Sequence, residues 1–413
     1  MADKKKICII ACGQLSTNPR ALKELRALKE AGYDAIFIGS YCAGWALKYD
    51  AAILAKDGLN GRIIDWSGST NPFLFYKVRL RYFIARHLYT LFPFRFLERC
   101  VLYCAYPELK RAVLKEQADL YIAHNLAALP IAYAAAGKYG VKFAFDAEDF
   151  HSADSPPYKG YGRFKVLVEH IERKYLPYCG YITASSQLIA RAYSQKYAIS
   201  NPIVLLNVFP LTPLKPEAPV IRKGSNLSLY WLSQTIGRNR GLEDIVCAMG
   251  KAKANIKLYL QGSIRGDYKT ALQDLAAKNN IEKERIIFLG PAFPDDLVNI
   301  ASSFDVGLAL EIIEPPSRDL CVSNKIFIYL LAGLSIIATR TQGQEPIIES
   351  IGKAGWLYRC GDIDALAGRI DYLAFNKAQL EESKKEASRS AHEKYNWDLE
   401  KRVFLGIITN ILR

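Results

Sequence analysis

The stretch Lys5–Ser40, KKICIIACGQLSTNPRALKELRALKEAGYDAIFIGS, decides the fold. Its first residues, KKICIIAC, form an apolar run of strand length and composition. Asn18 to Ala31 carries a helical pattern, and YDAIFIGS is a second apolar, β-branched run. A strand, a helix and a strand at this spacing make a right-handed βαβ unit with parallel strands. The turn after the first strand contains Gly13, which lets a ligand approach the backbone. Ser16, Thr17 and Asn18 are candidate caps, Pro19 suits the first helical position, and Arg20 adds a cation to the first turn. The same loop reads either as an ordinary capped helix or as an anion site made of amides plus Arg20.

The alternation continues outward. DLYIAH, VKFAFDAED and YITASS are further strands, with LAALPIAYAAAGKYG, Phe164–Tyr178 and QLIARAYSQKY as the helices among them. Four prolines between Pro210 and Pro219 mark a linker. The pattern then restarts with LSLYWLS, RGLEDIVCAMGKA, IKLYLQG, DYKTALQDLAAKN, RIIFLG, DDLVNIASS and DVGLALEI. SNKIFIYLLAGLSIIAT (Ser323–Thr339) supplies another helix and strand, with Gly333 closing the helix. The tail from Lys377 is helical and ends in the amphipathic YNWDLEKRVFLGIITNILR. The expected fold class is α/β: two doubly wound Rossmann-like domains, 1–210 and 211–390, facing a central cleft, plus a terminal helix over 391–413. Ligands of such sheets bind beyond the carboxyl ends of the strands, near helix N-termini.

Composition narrows the function. Half the 413 residues are hydrophobic and 23% are charged, which supplies packed cores and excludes disorder by composition. No secretory signal and no long uncharged apolar run is visible, so no transmembrane helix is expected. Nine cysteines without a C-x-x-C pair, and five histidines without zinc-ligand spacing, point to reduced thiols in a cytoplasmic protein with no structural metal. The net charge of +14 implies acidic partners. Between Asn71 and Lys115, nine Lys and Arg stand against two Glu, interleaved with aromatics. This mixture suits the anionic surface of a membrane; it equally fits a helical insert whose aromatics are core. No nucleic-acid module is recognisable.

Chemistry-bearing residues cluster just after strands. His124 and Asn125 follow DLYIA. Asp146, Glu148, Asp149 and His151 follow VKFAF, and carboxylates this close perturb one another if they share a dry site. After LSLYWLS come Gln234, Arg238 and Arg240, the last directly before Gly241. Asn324 and Lys325 open the helix after DVGLAL. Cations at a helix N-terminus oppose the dipole, so Arg238 and Arg240 point to a bound anion, and Lys325 reads either as a solvated first-turn residue or as a second cation on such an anion. Glu311 and Glu314, just past DVGLAL, read on their own as solvated loop charges before PPSRD.

With these residues in place, the chain resembles retaining glycosyltransferases of the GT-B fold, the large family 4 group (glycosyl transferases group 1). The matching pieces are STNPRALKELRALKEAGY, DLYIAHN, FDAEDFH, RGLEDIVCAM, SNKIFIYLLAGLSIIAT and QGQEPIIE. The resemblance implies a nucleoside diphosphate sugar donor, a saccharide or lipid-linked acceptor, and transfer with retention. The setting it implies is cell-surface polysaccharide synthesis. Arg240 and Lys325 would contact the diphosphate, Gly13 would allow close approach to the donor phosphate, and His124 would serve catalysis near the acceptor. Gln234, Arg238, Asn324, Glu311 and Glu314 fall on the donor side, and Arg20, Asn125 and Glu148 on the acceptor side. Neither cofactor nor metal is implied. The family's E-x7-E pair is missing, because its slots hold Leu320 and Ile328; Gln234 stands where relatives place an arginine. An active subgroup with altered nucleotide contacts and a silent, scaffold-like or sugar-binding relative both fit, and a nucleotide-sugar epimerase of the same architecture is the other enzyme reading.

Overall fold

The apolar runs form two parallel sheets. The computed structural model describes residues 4–42, 44–92, 95–154, 161–211 and 226–413. The linker expected over Pro210–Pro219 lies outside the described residues from position 212 onward. Residues up to 206, together with 401–413, form one compact unit, and 207–400 form the other.

In the first unit the strands are β1 (Lys6–Ala11), β2 (Asp34–Tyr41), β3 (Asn60–Asp65), β4 (Leu120–His124), β5 (Lys142–Ala147), β6 (Tyr181–Ala184) and β7 (Ile203–Val204). Their order across the sheet is β3-β2-β1-β4-β5-β6-β7. The order reverses between β1 and β4, where Ala11 pairs in register with His124. Strands β1 and β4 are almost wholly buried, as expected where helices cover both faces of a parallel sheet. Strand β3 and the helix Gly44–Asp57 escape the sequence reading because β3 is an edge strand whose first three residues are exposed. The helix Pro19–Glu30 starts as expected: the Asn18 side chain accepts from the Ala21 amide and Pro19 occupies the first position.

In the second unit β8 (Leu227–Ile236), β9 (Ile256–Ile264), β10 (Ile286–Leu289), β11 (Val306–Ala309), β12 (Ser335–Thr339) and β13 (Gly355–Tyr358) follow the order β10-β9-β8-β11-β12-β13. This is the Rossmann order, with the reversal between β8 and β11. Trp231, Leu258, Leu308 and Ile337 bring four strands into one core, which the helices Leu242–Lys251 and Ile363–Phe375 cover. The helix Asn324–Ala332 ends at Gly333, whose φ of +68° forms a left-handed cap that glycine adopts without steric cost. The tail forms two helices, Lys377–Glu393 and Trp397–Leu412, and the residues from Lys401 onward group with the first unit.

Candidate functional site

In the second unit the candidate site gathers at the carboxyl ends of β8 and β11. Strand β8 is irregular there: Leu232 pairs with Gln261 and Thr235 with Ser263, so Ser233 and Gln234 bulge outward. Gly262 makes the bulge sterically feasible. Its φ is +141°, and a Cβ would lie 2.1 Å from the Ser233 carbonyl oxygen. Gln234 is exposed at this bulge.

The loop after β8 carries Arg240 between two residues of positive φ, Asn239 (+60°) and Gly241 (+70°). A Cβ on Gly241 would meet the Leu310 side chain at 2.9 Å, so glycine brings this loop against the end of β11. Arg318 donates to the Asn239 carbonyl from the other side. Arg240 is half-buried and reaches Ser233 Oγ at 3.5 Å. Burial depresses its guanidinium below the ordinary value. Glu311 acts in the opposite direction, while Arg318 and Arg265 add to the depression. Arg238 turns elsewhere, to Asp267 at 3.4 Å and over the Tyr268 ring at 5.6 Å.

Lys325 is buried in the first turn of the helix Asn324–Ala332. Its Nζ donates to Glu311 Oε1 at 2.7 Å and to Ser323 Oγ at 3.2 Å, and lies 5.5 Å from the Trp231 ring. Glu311 follows β11, also buried, with its own amide donating to Thr339 Oγ1. Burial pushes its carboxyl upward, but Lys325, Arg240 and the Ser323 hydroxyl outweigh burial and hold it below the usual range. The reading of Glu311 as a solvated loop charge is therefore corrected. Glu314 is exposed and begins a cis bond to Pro315. Asn324 is half-buried at the first helical position. Ile328 is packed in the core, three per cent exposed.

This arrangement holds Arg240 and Lys325 near one carboxylate, at the topological switch point and beside a helix N-terminus. Chemically, it is suited to receive an anion. Sequence reasoning gave no role to Arg318, in the short helix Pro316–Leu320, to Ser233, at the bulge of β8, or to Ser323, which precedes the helix Asn324–Ala332. Glu311 was proposed without its partner.

The first unit holds a different cluster. Gly13 borders open space, with no atom within 4 Å of a would-be Cβ. Asn125, at a φ of +73°, accepts the Cys12 amide through Oδ1 at 3.3 Å, tying the ends of β1 and β4 together. His124 does not present its ring to an open site. It is buried, with Nε2 2.9 Å from Glu24 Oε2 and Nδ1 3.3 Å from Asp146 Oδ2. Arg20 is buried as well, and is not an available anion ligand. Its Nε and Nη2 donate to the two Asp146 oxygens at 2.7 and 2.5 Å, and Nη1 donates to the Leu205 carbonyl. Thr183 Oγ1 adds a further bond to Asp146 at 2.7 Å.

The carboxylates at the end of β5 are shifted in opposite directions. Burial raises Asp146, yet Arg20 and His124 hold it well below the usual range. Burial and then Asp149 push the half-buried Glu148 up to about 7. Burial lowers His124, but Glu24 and Asp146 reverse this and raise it to about 10. Glu24, His124 and Asp146 offer atoms within 4.8 Å of one another, as a metal would need. Their ligand atoms already have protein partners: Arg20 donates to both oxygens of Asp146, and the two ring nitrogens of His124 face Glu24 and Asp146. Glu24 and Lys23 went unnoticed in the sequence as ordinary helix charges.

A pH prediction follows from this cluster. The folded His124 binds its proton more tightly than the unfolded chain does. Its stabilisation is full below about pH 6.5 and is lost as pH rises toward 10. Lys23 is opposite: burial, then Arg20, push its ammonium down to about 7, so folding gains stability from pH 7 toward 10.5. Glu148 adds a fall in stability between its ordinary value and about 7. From about pH 7.5 to 9.5 the two larger effects oppose each other, and the melting temperature should change little. Lys23→Met should expose the His124 term as a decline with rising pH, read by thermal melts across that window. A Lys23→Met protein with the same flat profile would contradict the assignment.

Residues 228–376 match the family model described as Glycosyl transferases group 1. No curated protein sequence matches the chain significantly. Among solved structures, HepE of Anabaena in complex with UDP and glucose superposes with a TM-score of 0.70 at 14% identity, covering 98% of this chain and 100% of that one. Sucrose-phosphate synthase of Thermosynechococcus elongatus gives 0.71 at 13% identity, covering 99% of each chain. The lipopolysaccharide outer core galactosyltransferase WaaB gives 0.64 at 14% identity, covering 98% and 99%. The fold is GT-B, with two parallel-sheet Rossmann-like units.

Proposed function

We propose that the protein is a glycosyltransferase that moves a sugar from a nucleoside diphosphate sugar to a saccharide or lipid-linked acceptor. The observation that carries this reading is the convergence of Arg240 and Lys325 on Glu311 at the switch point of a domain matched by the glycosyl transferases group 1 model. Negative charge develops on the diphosphate as its bond to the sugar breaks. Preorganised cations in a partly dry site stabilise that charge more than they stabilise the intact donor. Arg240 and Lys325 supply this stabilisation, helped by the helix N-terminus at Asn324. We assign the donor no metal and no separate cofactor.

The family resemblance and the UDP complexes among the structural neighbours make UDP-sugars the first donors to test. Retention with front-face attack, in which the leaving diphosphate takes the acceptor proton, needs no protein nucleophile. His124 then serves as a positioning residue. It holds Glu24 and Asp146 in place at the end of β4, and is not itself in contact with the reacting atoms. The nine free thiols suit a reducing cytoplasm, and a lipid-linked acceptor would place the work on the inner membrane face, in cell-surface polysaccharide synthesis.

The test is a panel of nucleoside diphosphate sugars with purified protein. Nucleotide released from one donor, at a rate raised by acceptor, is expected. A changed sugar on an intact nucleotide would identify an epimerase. Neither binding nor release with any donor would remove the reading.

A further inference from the structure

The helix Pro72–Leu91, PFLFYKVRLRYFIARHLYTL, is apolar on both sides, yet only one side is covered. Val78, Ala85 and Tyr89 form the buried face, and Val78 packs with Trp66 and Ala105. On the opposite face Phe73, Tyr76, Leu80, Phe83, Ile84 and Leu91 are all exposed, Phe73 by 79% and Phe83 by 68%. At 100° per residue these six fall within an arc of about 100°. A run of large aromatic and aliphatic side chains on one exposed face is far more than the scattered apolar residues of an ordinary surface.

The charges around this arc share one sign. The helix contains Lys77, Arg79, Arg81 and Arg86 and no acidic residue. Lys77 borders the arc on one side and Arg79 and Arg86 on the other, by helical position. Arg81, nearer the buried face, pairs with Glu108. The same insert contributes to a basic groove of about 560 Å³ lined by Arg99, Lys110, Arg111, Lys115 and Lys138, with no carboxylate in its lining.

We infer that this face docks on an anionic lipid bilayer, the six apolar side chains entering the headgroup boundary and the flanking cations meeting lipid phosphates. A second copy of the chain is a poor occupant, because it would set two cationic rims against each other. A bilayer supplies both the apolar depth and the opposite charge. The helix lies on the membrane and does not cross it, since no described helix is long and apolar enough to span. The inference needs no catalytic activity, so it stands or falls apart from the proposed reaction.

The experiment is co-flotation of the full chain with vesicles of phosphatidylcholine alone and of phosphatidylcholine mixed with phosphatidylglycerol. The wild-type chain should bind the mixed vesicles at least about tenfold more strongly than the neutral ones. Phe73→Ser combined with Phe83→Ser should lower that binding by about tenfold or more while leaving the melting temperature unchanged, because both rings are exposed. Lys77→Gln combined with Arg79→Gln should narrow the difference between the two vesicle types. No vesicle binding, or equal binding by the wild type and the double-serine variant, would overturn the inference. So would a dimer in light scattering that the double-serine variant converts to monomer, or binding that is equal on neutral and anionic vesicles.

Discussion

Lys325→Ala should slow the proposed glycosyl transfer by about 10²-fold or more, because a preorganised cation at a developing anionic charge is worth that much. The same change removes the partner of a buried carboxylate: Glu311 accepts from Lys325 Nζ at 2.7 Å, and the two side chains are each 10% exposed. A fall in rate by itself could therefore reflect a damaged fold. The double variant Lys325→Ala with Glu311→Gln separates the two effects. It leaves no carboxylate without its lysine, so its melting temperature should return toward the wild-type value, while turnover stays low. Nucleotide release measured under single-turnover conditions, alongside thermal melts, makes the comparison. Recovery of turnover in the double variant would show that Lys325 acts only as a structural counter-ion.

Asp146→Ala should destabilise the protein by about 3–5 kcal/mol, the cost of breaking a buried ion pair from one side. Asp146 is one per cent exposed, takes both donors of the Arg20 fork and the Thr183 hydroxyl, and faces His124. Its removal leaves Arg20 and His124 buried with only Glu24 and the half-buried Glu148 nearby. For a domain of this size, that loss lowers the melting temperature by roughly 6–20 °C. Calorimetry reads it directly. A loss under about 1 kcal/mol would mean that water or rearranged neighbours compensate, and that the cluster is less dry than its exposure indicates.

Both sheets were legible in the sequence because parallel strands covered on two faces read as unbroken apolar runs, and ICIIA and LYIAH have no other economical reading. Strand β3 was not, since its exposed residues Asn60, Gly61 and Arg62 give no such run. Arg238, Arg240 and Lys325 drew notice in the sequence through their conflict with the helix dipole. What sequence could not show is where each charge ends. Glu311 sits among loop residues before two prolines, and only the fold turns it inward against Lys325. Lys23 and Glu24 look like a solvated helix face, and Arg20 like a cation open to a ligand. Their burial had one signal: Arg20 and Glu24 lie on the same side of the helix as Ala27 and Leu28, one turn apart, within the stripe that meets the sheet. His124 was placed correctly at the end of β4, but Glu24 on the helix Pro19–Glu30 and Asp146 on β5 face its two ring nitrogens.

The backbone around Arg240 bears on how selective the site can be. With Asn239 and Gly241 both in the left-handed region, and Asn239 held by Arg318, the guanidinium is mounted on a stretch with little freedom left to lose. The ordering entropy is paid when the unit folds and not when a ligand arrives. A flexible arginine would accept any polyanion by charge alone. One fixed in this way rewards a ligand whose phosphates match its spacing from Lys325, so inorganic polyphosphates of equal charge should compete poorly with a nucleoside diphosphate.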